Sequence, residues 1–297
     1  MAAVLALIAA FLFALAATFQ QKGAVELGGV SLGSPASLLR LLGQTMWLVG
    51  TLALFAGYVF QAAALDRGRL SIIQPLLVTT VVFALPLGYF ITGQVVGRRE
   101  VFGAAVILLG LALFTYFADP SGGVDNAPGG EWAIAIAILG AVCAVLLVLG
   151  GRDDASTTTR AAVYGTVAGI LFGLSAALTK PTVEYLHDGV DELLTHWEGY
   201  VLAIAGVLGF VLQQVSLGTG KLAPSVATVS VANPVVGILI GTLLLEERWS
   251  RPGWHILLGV VGLALALVGA VIISIATEAG RERSAPAVPQ TAPEALS

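Results

Sequence analysis

Hydrophobic positions in this chain come in long unbroken blocks, with the polar positions squeezed between them. Nine windows are long and apolar enough for a bilayer-crossing helix: residues 2–20, 46–65, 70–90, 101–117, 132–149, 161–179, 200–217, 222–245 and 254–275. Such a crossing needs roughly 20 mostly apolar residues. The charges fall almost wholly in short turns, such as Asp66-Arg67-Gly68-Arg69, Arg98-Arg99-Glu100 and Glu246-Glu247-Arg248. No window shows the alternation of a barrel strand. Backbone groups in hydrocarbon must be satisfied within their own segment, so each window predicts a helix. The expected fold class is all-α, a polytopic membrane protein with nine transmembrane helices.

Composition sharpens this reading. Of 297 residues 57% are hydrophobic and 11% charged, with a mean hydropathy of +0.93; a soluble domain carries about 25% charged residues. The net charge of -4 is spread over loops, so there is no basic footprint for nucleic acid, and the lipid bilayer is the expected partner. Cys143 is the single cysteine, which excludes an intramolecular disulfide framework. The first block ends in the signal-like Ala14-Leu15-Ala16-Ala17, yet its first lysine, Lys22, follows the block; a retained span is expected. Of the 14 Lys and Arg, five lie on the side of the N-terminus and nine on the other. The positive-inside rule then puts the N-terminus outside and the C-terminus in the cytoplasm of a multi-pass cell-membrane protein. The Pro-containing tail 277–297 is expected to be disordered.

A shift of 152 positions aligns two long stretches without a gap. Gly57, Val59, Gln61, Leu65, Gly68 and Leu70 meet Gly209, Val211, Gln213, Leu217, Gly220 and Leu222, and Gly110-Leu111-Ala112-Leu113 meets Gly262-Leu263-Ala264-Leu265. At a slightly different shift, Ala10, Ala14, Ala17 and Gln21 correspond to Gly169, Gly173, Ala176 and Lys180. That spacing puts small residues along one helix face, where helices can approach closely. The division expected is a first repeat over 1–118, a linker with the fifth span over 119–160, a second repeat over 161–276, and the tail. Equivalent helices lie an odd number of crossings apart, so the two four-helix repeats are inverted. Inverted repeats recur in secondary transporters, with midplane sites.

Polar residues at membrane depth are few. In 222–245, Asn233-Pro234 is central, and Pro234 frees the carbonyl of Ser230. Ser230, Asn233, Gly237 and Gly241 share one arc of the helix, which either lines a cavity or packs with Asn233 bonded to a neighbour. The matching window 70–90 carries Gln74-Pro75, Thr79-Thr80 and Pro86, and broken helices in corresponding positions point to a transport site. The substrate-binding candidates are therefore Asn233, Ser230, Thr79, Thr80 and Gln74. Gln61 and Gln213, related by the repeat and near opposite ends of their helices, are gating candidates, with interhelical hydrogen bonds the alternative. No Asp or Glu lies at central depth, which weighs against a proton relay. Gln20, Gln21, Lys22 and Lys180 are expected to snorkel from helix ends.

The acidic loop 182–198 predicts an amphipathic surface helix. On it Asp188, Glu192 and His196 stack at i, i+4 and i+8, either as a weak metal site or as a solvated face, and no metal ligands are assigned. Gly218-Thr219-Gly220-Lys221 lacks the context of a phosphate loop. His187, His196 and His255 lie at loops or helix ends, so no catalytic residue, cofactor or enzymatic activity is expected.

These residues resemble the drug/metabolite transporter superfamily, of the EamA-like kind, particularly its branch similar to NIPA-type magnesium transporters. The resemblance rests on Gln20-Gln21-Lys22-Gly23, Trp47-Leu48-Val49-Gly50 and Ile73-Gln74-Pro75-Leu76-Leu77, and on Glu246 sixteen residues before Gly262. Gln94 stands where the first-half glutamate would be. The resemblance implies a secondary transporter or facilitator of a small solute or ion, with a magnesium transporter or channel-like facilitator as the specific alternative. A non-transporting scaffold or accessory subunit is the alternative from another class. A homo-oligomer is left open.

Overall fold

The computed structural model describes residues 1–26, 40, 42–93, 96–118, 120–150, 152, 155–218, 222–249 and 253–284. Gln94, Lys221, Arg251 and residues 285–297 of the tail lie outside them. The elements are α1 (Ala2–Glu26), α2 (Thr45–Arg67), α3 (Leu70–Leu77), α4 (Thr79–Leu87) running into a π-helical turn (Gly88–Thr92), α5 (Arg98–Ala118), β1 (Pro120–Gly122), α6 (Gly129–Gly150), α7 (Thr157–Asp188), α8 (Val190–Thr195), α9 (Trp197–Gly218), α10 (Leu222–Leu243), β2 (Glu247–Trp249) and α11 (Trp254–Ser284). Among the described residues, seven helices are long and apolar enough to cross a membrane, and two further apolar stretches, Trp197–Gln213 and Thr228–Leu243, are shorter. The chain is a polytopic helical membrane protein.

Small residues decide which helices meet. α1 and α2 run antiparallel, with Gly50 against the Ala16 carbonyl and Gly57 against the Phe13 ring; a Cβ added at either would fall 2.9 or 2.6 Å from those atoms. α7 packs antiparallel to α9, where Ser216 Oγ donates to the Ala161 carbonyl at 2.6 Å. It packs parallel to α10, where Gly169 faces Ala232 and Asn233 and Gly173 faces Val236. The small-residue stripe on α7 is thus a packing face. α7 is the most enclosed of the candidate spans, with 61% of its apolar window buried, whereas α6 has 11% and sits at the periphery against α7.

Two further seams join the first half to the second. α5 crosses α11 antiparallel through Gly103 against Gly269 and Gly110 against Gly262. A Cβ on Gly110 would fall 2.5 Å from the Gly262 carbonyl, and one on Gly262 would fall 2.5 Å from Phe114 N. α3 meets α10 antiparallel, with Gln74 against Gly237 and Ser71 against Gly241. At the end of the bundle that holds Met1, more contacts join the halves, directly or through β1 of the linker. β1 pairs antiparallel with β2, matching Ser121 with Arg248, Arg69 Nε donates to the Gly122 carbonyl at 2.8 Å, and His187 Nδ1 lies 3.7 Å from Asp66.

Several expectations need correction. The acidic segment 182–198 is not one surface helix: α7 runs through Asp188, Gly189 breaks it at φ 144, and α8 ends before His196. Asp188 is thereby cut out of register with Glu192 and His196. Lys180 is not at a helix end but eight residues inside α7. Its ammonium pairs with Asp125 at 2.9 Å. At ~1.5 Å per residue, a helix as long as α7 outruns a ~30 Å hydrocarbon core, so its last turns project beyond it. The segment 277–284, expected to be disordered, continues α11 to Ser284. The two proline-bearing helices also differ. The chain breaks at Val78, where Val78 N bonds the Pro75 carbonyl at 3.0 Å and Thr79 Oγ1 the Leu76 carbonyl at 2.6 Å. α10 continues through Pro234.

Candidate functional site

The α3–α10 seam holds most of the unsatisfied polar chemistry in the apolar core. Gln74 is 1% exposed, and neither Oε1 nor Nε2 has a hydrogen-bond partner. Ser71, one turn earlier on the same face, is fully buried with its Oγ also unpartnered. Across the seam Gly237 allows close approach: a Cβ there would fall 2.5 Å from Gln74 Cγ. The antiparallel register places Asn233 one turn earlier in α10 than Gly237, at the level of Leu77 to Thr79. Its Oδ1 is buried without a partner, and its backbone lies against Gly169 and Gly173 of α7. Asn233 therefore faces protein. An unpartnered buried polar atom costs roughly 1–3 kcal/mol, so a row of them marks a seam built for something other than packing.

The remaining candidates divide. Thr79 is buried, with its hydroxyl spent on the Leu76 carbonyl of α3 across the break. Thr80 and Ser230 are half-buried on α4 and α10. Gln61 is buried on α2, near the Met1 end; Gln213 is half-buried on α9, near the opposite end beside the Ser216–Ala161 contact. Gln20 Nε2 donates to Thr51 Oγ1 at 3.3 Å. Among the described residues no group of three or more His, Cys, Asp and Glu side chains gathers as metal ligands. His196 Nδ1 contacts the Glu192 carbonyl oxygen at 2.9 Å, and its ring stacks on Tyr185 at 3.8 Å.

Two carboxylates that sequence reasoning does not single out are buried at the Met1 end. Glu247, 2% exposed, accepts from Leu70 N at 2.7 Å and Ser71 N at 2.9 Å, so it caps the start of α3 from the other half of the chain. Glu198, 3% exposed, accepts from Asn126 Nδ2 at 3.1 Å and from the Tyr185 hydroxyl at 3.3 Å. Asn126 also donates to the Tyr185 hydroxyl at 2.9 Å, and its Oδ1 accepts from Trp132 Nε1 at 2.8 Å. In the sequence Glu247 is one of two adjacent glutamates in a turn. Its partner Glu246 is exposed at φ 51; only the pairing of β2 with β1 turns one inward.

The geometry defines a helical membrane protein with a polar seam between its halves. The chain is similar to an uncharacterized protein of Corynebacterium glutamicum, 28% identical over 242 residues that cover 80% of this chain and 82% of that protein. No protein-family model matches it. No solved structure matches it either.

Proposed function

We propose that the protein is a secondary transporter or facilitator of the drug/metabolite transporter type. It has nine crossings, two inverted four-helix halves joined by α6, and moves a small solute or ion across the cell membrane by alternating access. The N-terminus lies outside and the C-terminus in the cytoplasm. The observation that carries this reading is the antiparallel meeting of repeat-equivalent helices, α3 with α10 and α5 with α11. Moving 152 positions on converts Gly110 to Gly262 and Phe114 to Ala266. The contact of Gly262 with Phe114 N and that of Gly110 with Ala266 N are thus exchanged by the repeat. The contact of Gly103 with Gly269 corresponds likewise to the ring contact of His255 with Phe117, centroids 5.9 Å apart. Contacts that interconvert between antiparallel equivalents are what a two-fold axis in the membrane plane produces.

The seam on that axis supplies the substrate-contacting groups: Gln74 from one half and Asn233 from the other, with Ser230, Thr79 and Thr80 alongside, and Gln61 and Gln213 toward opposite ends as gates. Amide and hydroxyl groups suit a small polar solute. The test is flux in proteoliposomes. Asn233→Leu removes the amide while keeping the number and branching of side-chain heavy atoms, and should abolish saturable uptake while protein still inserts. Wild-type uptake in that variant would remove the seam as the site. Absence of flux for the wild-type chain across cations, amines, amino acids and nucleotide sugars would favour the scaffold reading.

A further inference from the structure

At its Met1 end the same seam gathers oxygen ligands around an unbalanced charge. Glu247 is buried to 2% exposure, and among the described residues its two oxygens accept only from the backbone N–H groups of Leu70 and Ser71. No basic side chain forms an ion pair with it among the described residues. The nearby bases are directed elsewhere: Arg69 Nε to the Gly122 carbonyl, Arg67 to Asp66 at 3.0 Å, and Arg248 to the exposed face of β2. A buried carboxylate is normally paired with a cation or coordinates a metal. The partial positive end of α3 offsets only about half a charge.

Beside this carboxylate stand two polar side chains with nothing to bond. Ser71 N touches Glu247 Oε2 at 2.9 Å, and Ser71 Oγ is unpartnered and wholly buried. Gln74, three residues on and on the same face of α3, has both amide atoms unpartnered at 1% exposure. α10 presents two glycines here and approaches α3 closely through them. Gly241 lies where a Cβ would meet Glu247 Oε2 at 2.7 Å, and Gly237 lies against Gln74.

We infer that Glu247, Ser71 and Gln74 form a binding site for a dehydrated alkali cation, held between the start of α3 and the end of α10. All available ligands are hard oxygens, namely a carboxylate, a hydroxyl and an amide carbonyl. A single carboxylate gives the site one negative charge, which balances a monovalent ion; divalent sites draw on more carboxylates or retained water. The Gln74 amide then links two sites. Its oxygen turns to the ion, which leaves its N–H groups for the unpartnered Oδ1 of Asn233, whose backbone lies one turn, about 6 Å of rise, before Gly237 in α10. Cation binding would thus order the amide that faces the substrate seam. The inference deepens the transport reading by supplying its coupling ion, but binding is measured without flux, so the two can fail separately.

The experiment is thermal unfolding of the full chain in detergent, at fixed pH and ionic strength. Chloride salts of sodium, potassium, lithium and choline are exchanged for one another, with magnesium chloride as a further arm. The expected result is a saturable rise of several degrees in the midpoint for one alkali cation over choline. Ser71→Ala keeps the backbone cap and Gln74→Met keeps the unbranched shape and length, so both should fold, and each should lose that rise. Equal midpoints in all four monovalent salts would overturn the site, as would a rise with magnesium alone or a rise that survives in both variants. A cation-dependent midpoint without flux in liposomes would sustain the site and count against transport. Flux without cation dependence would do the reverse.

Discussion

Asn126 joins three helices through a single amide. It bonds Trp132 at the start of α6, Tyr185 near the end of α7 and Glu198 at the start of α9. Trp132 is fully buried and Glu198 nearly so, and removing a shared partner strands every group that depended on it. Asn126→Ala should therefore destabilise the protein by about 2–4 kcal/mol, more than an ordinary surface change. Chemical denaturation followed by tryptophan fluorescence, to which Trp132 and Trp197 contribute, would measure it, and a loss below about 0.5 kcal/mol would show that the network contributes nothing. The sequence does not disclose this residue, which sits in a loop between two apolar blocks and carries no motif. Glu198 reads there as one charge among many on a solvated acidic loop. Asn233 and Gln74 are legible because a polar side chain at membrane depth has few innocent explanations. Glu247 and Glu198 are not, because burial at a helix end depends on which other loops arrive there.

At the scale of elements, the α5–α11 crossing tests whether glycine is required for contact or merely tolerated. Gly110 meets the backbone of α11 with no room for a methyl group, whereas Gly140 on α6 has nothing within 4 Å. Gly110→Ala should cost about 1–3 kcal/mol through overpacking. Gly140→Ala should be neutral or stabilise by up to about 1 kcal/mol, because a helix loses less conformational entropy with alanine. Thermal midpoints of the two variants, measured side by side, decide the point; similar midpoints would mean that the two helices can part without cost. Each of the nine apolar blocks is occupied by helix in the structure, since lipid-like composition forces the backbone to bond within itself. Helix ends are where the reading falters. α7 runs nine residues past its apolar block, held by Lys180–Asp125 and the Asn126 network, and these are tertiary contacts that hydropathy does not encode. Val78 and Pro234 make the same point. Proline removes a hydrogen bond in both helices, but neighbouring helices decide whether the chain breaks.

At the scale of the whole molecule, one end of the bundle is tied together by contacts that join the halves directly or through the linker: the β1–β2 pair with Arg69 on the Gly122 carbonyl, Glu247 on the start of α3, and His187 near Asp66. If the halves rock to expose the seam, these contacts must separate in every cycle. The β pair allows that to be tested with little disturbance. Ser121 and Arg248 are direct partners, and opposed residues in an antiparallel pair have Cα atoms roughly 4.5–5.5 Å apart, within disulfide range. Cys143 is the single native cysteine, so Cys143→Ala provides a clean background for Ser121→Cys with Arg248→Cys. Oxidation should reduce flux to background and dithiothreitol should restore it, while either cysteine alone leaves flux unchanged. Mass spectrometry of the digested protein would establish that the bond had formed. Full flux through a quantitatively cross-linked protein would mean that the halves stay together at this end, and a fixed channel would then replace the rocking mechanism.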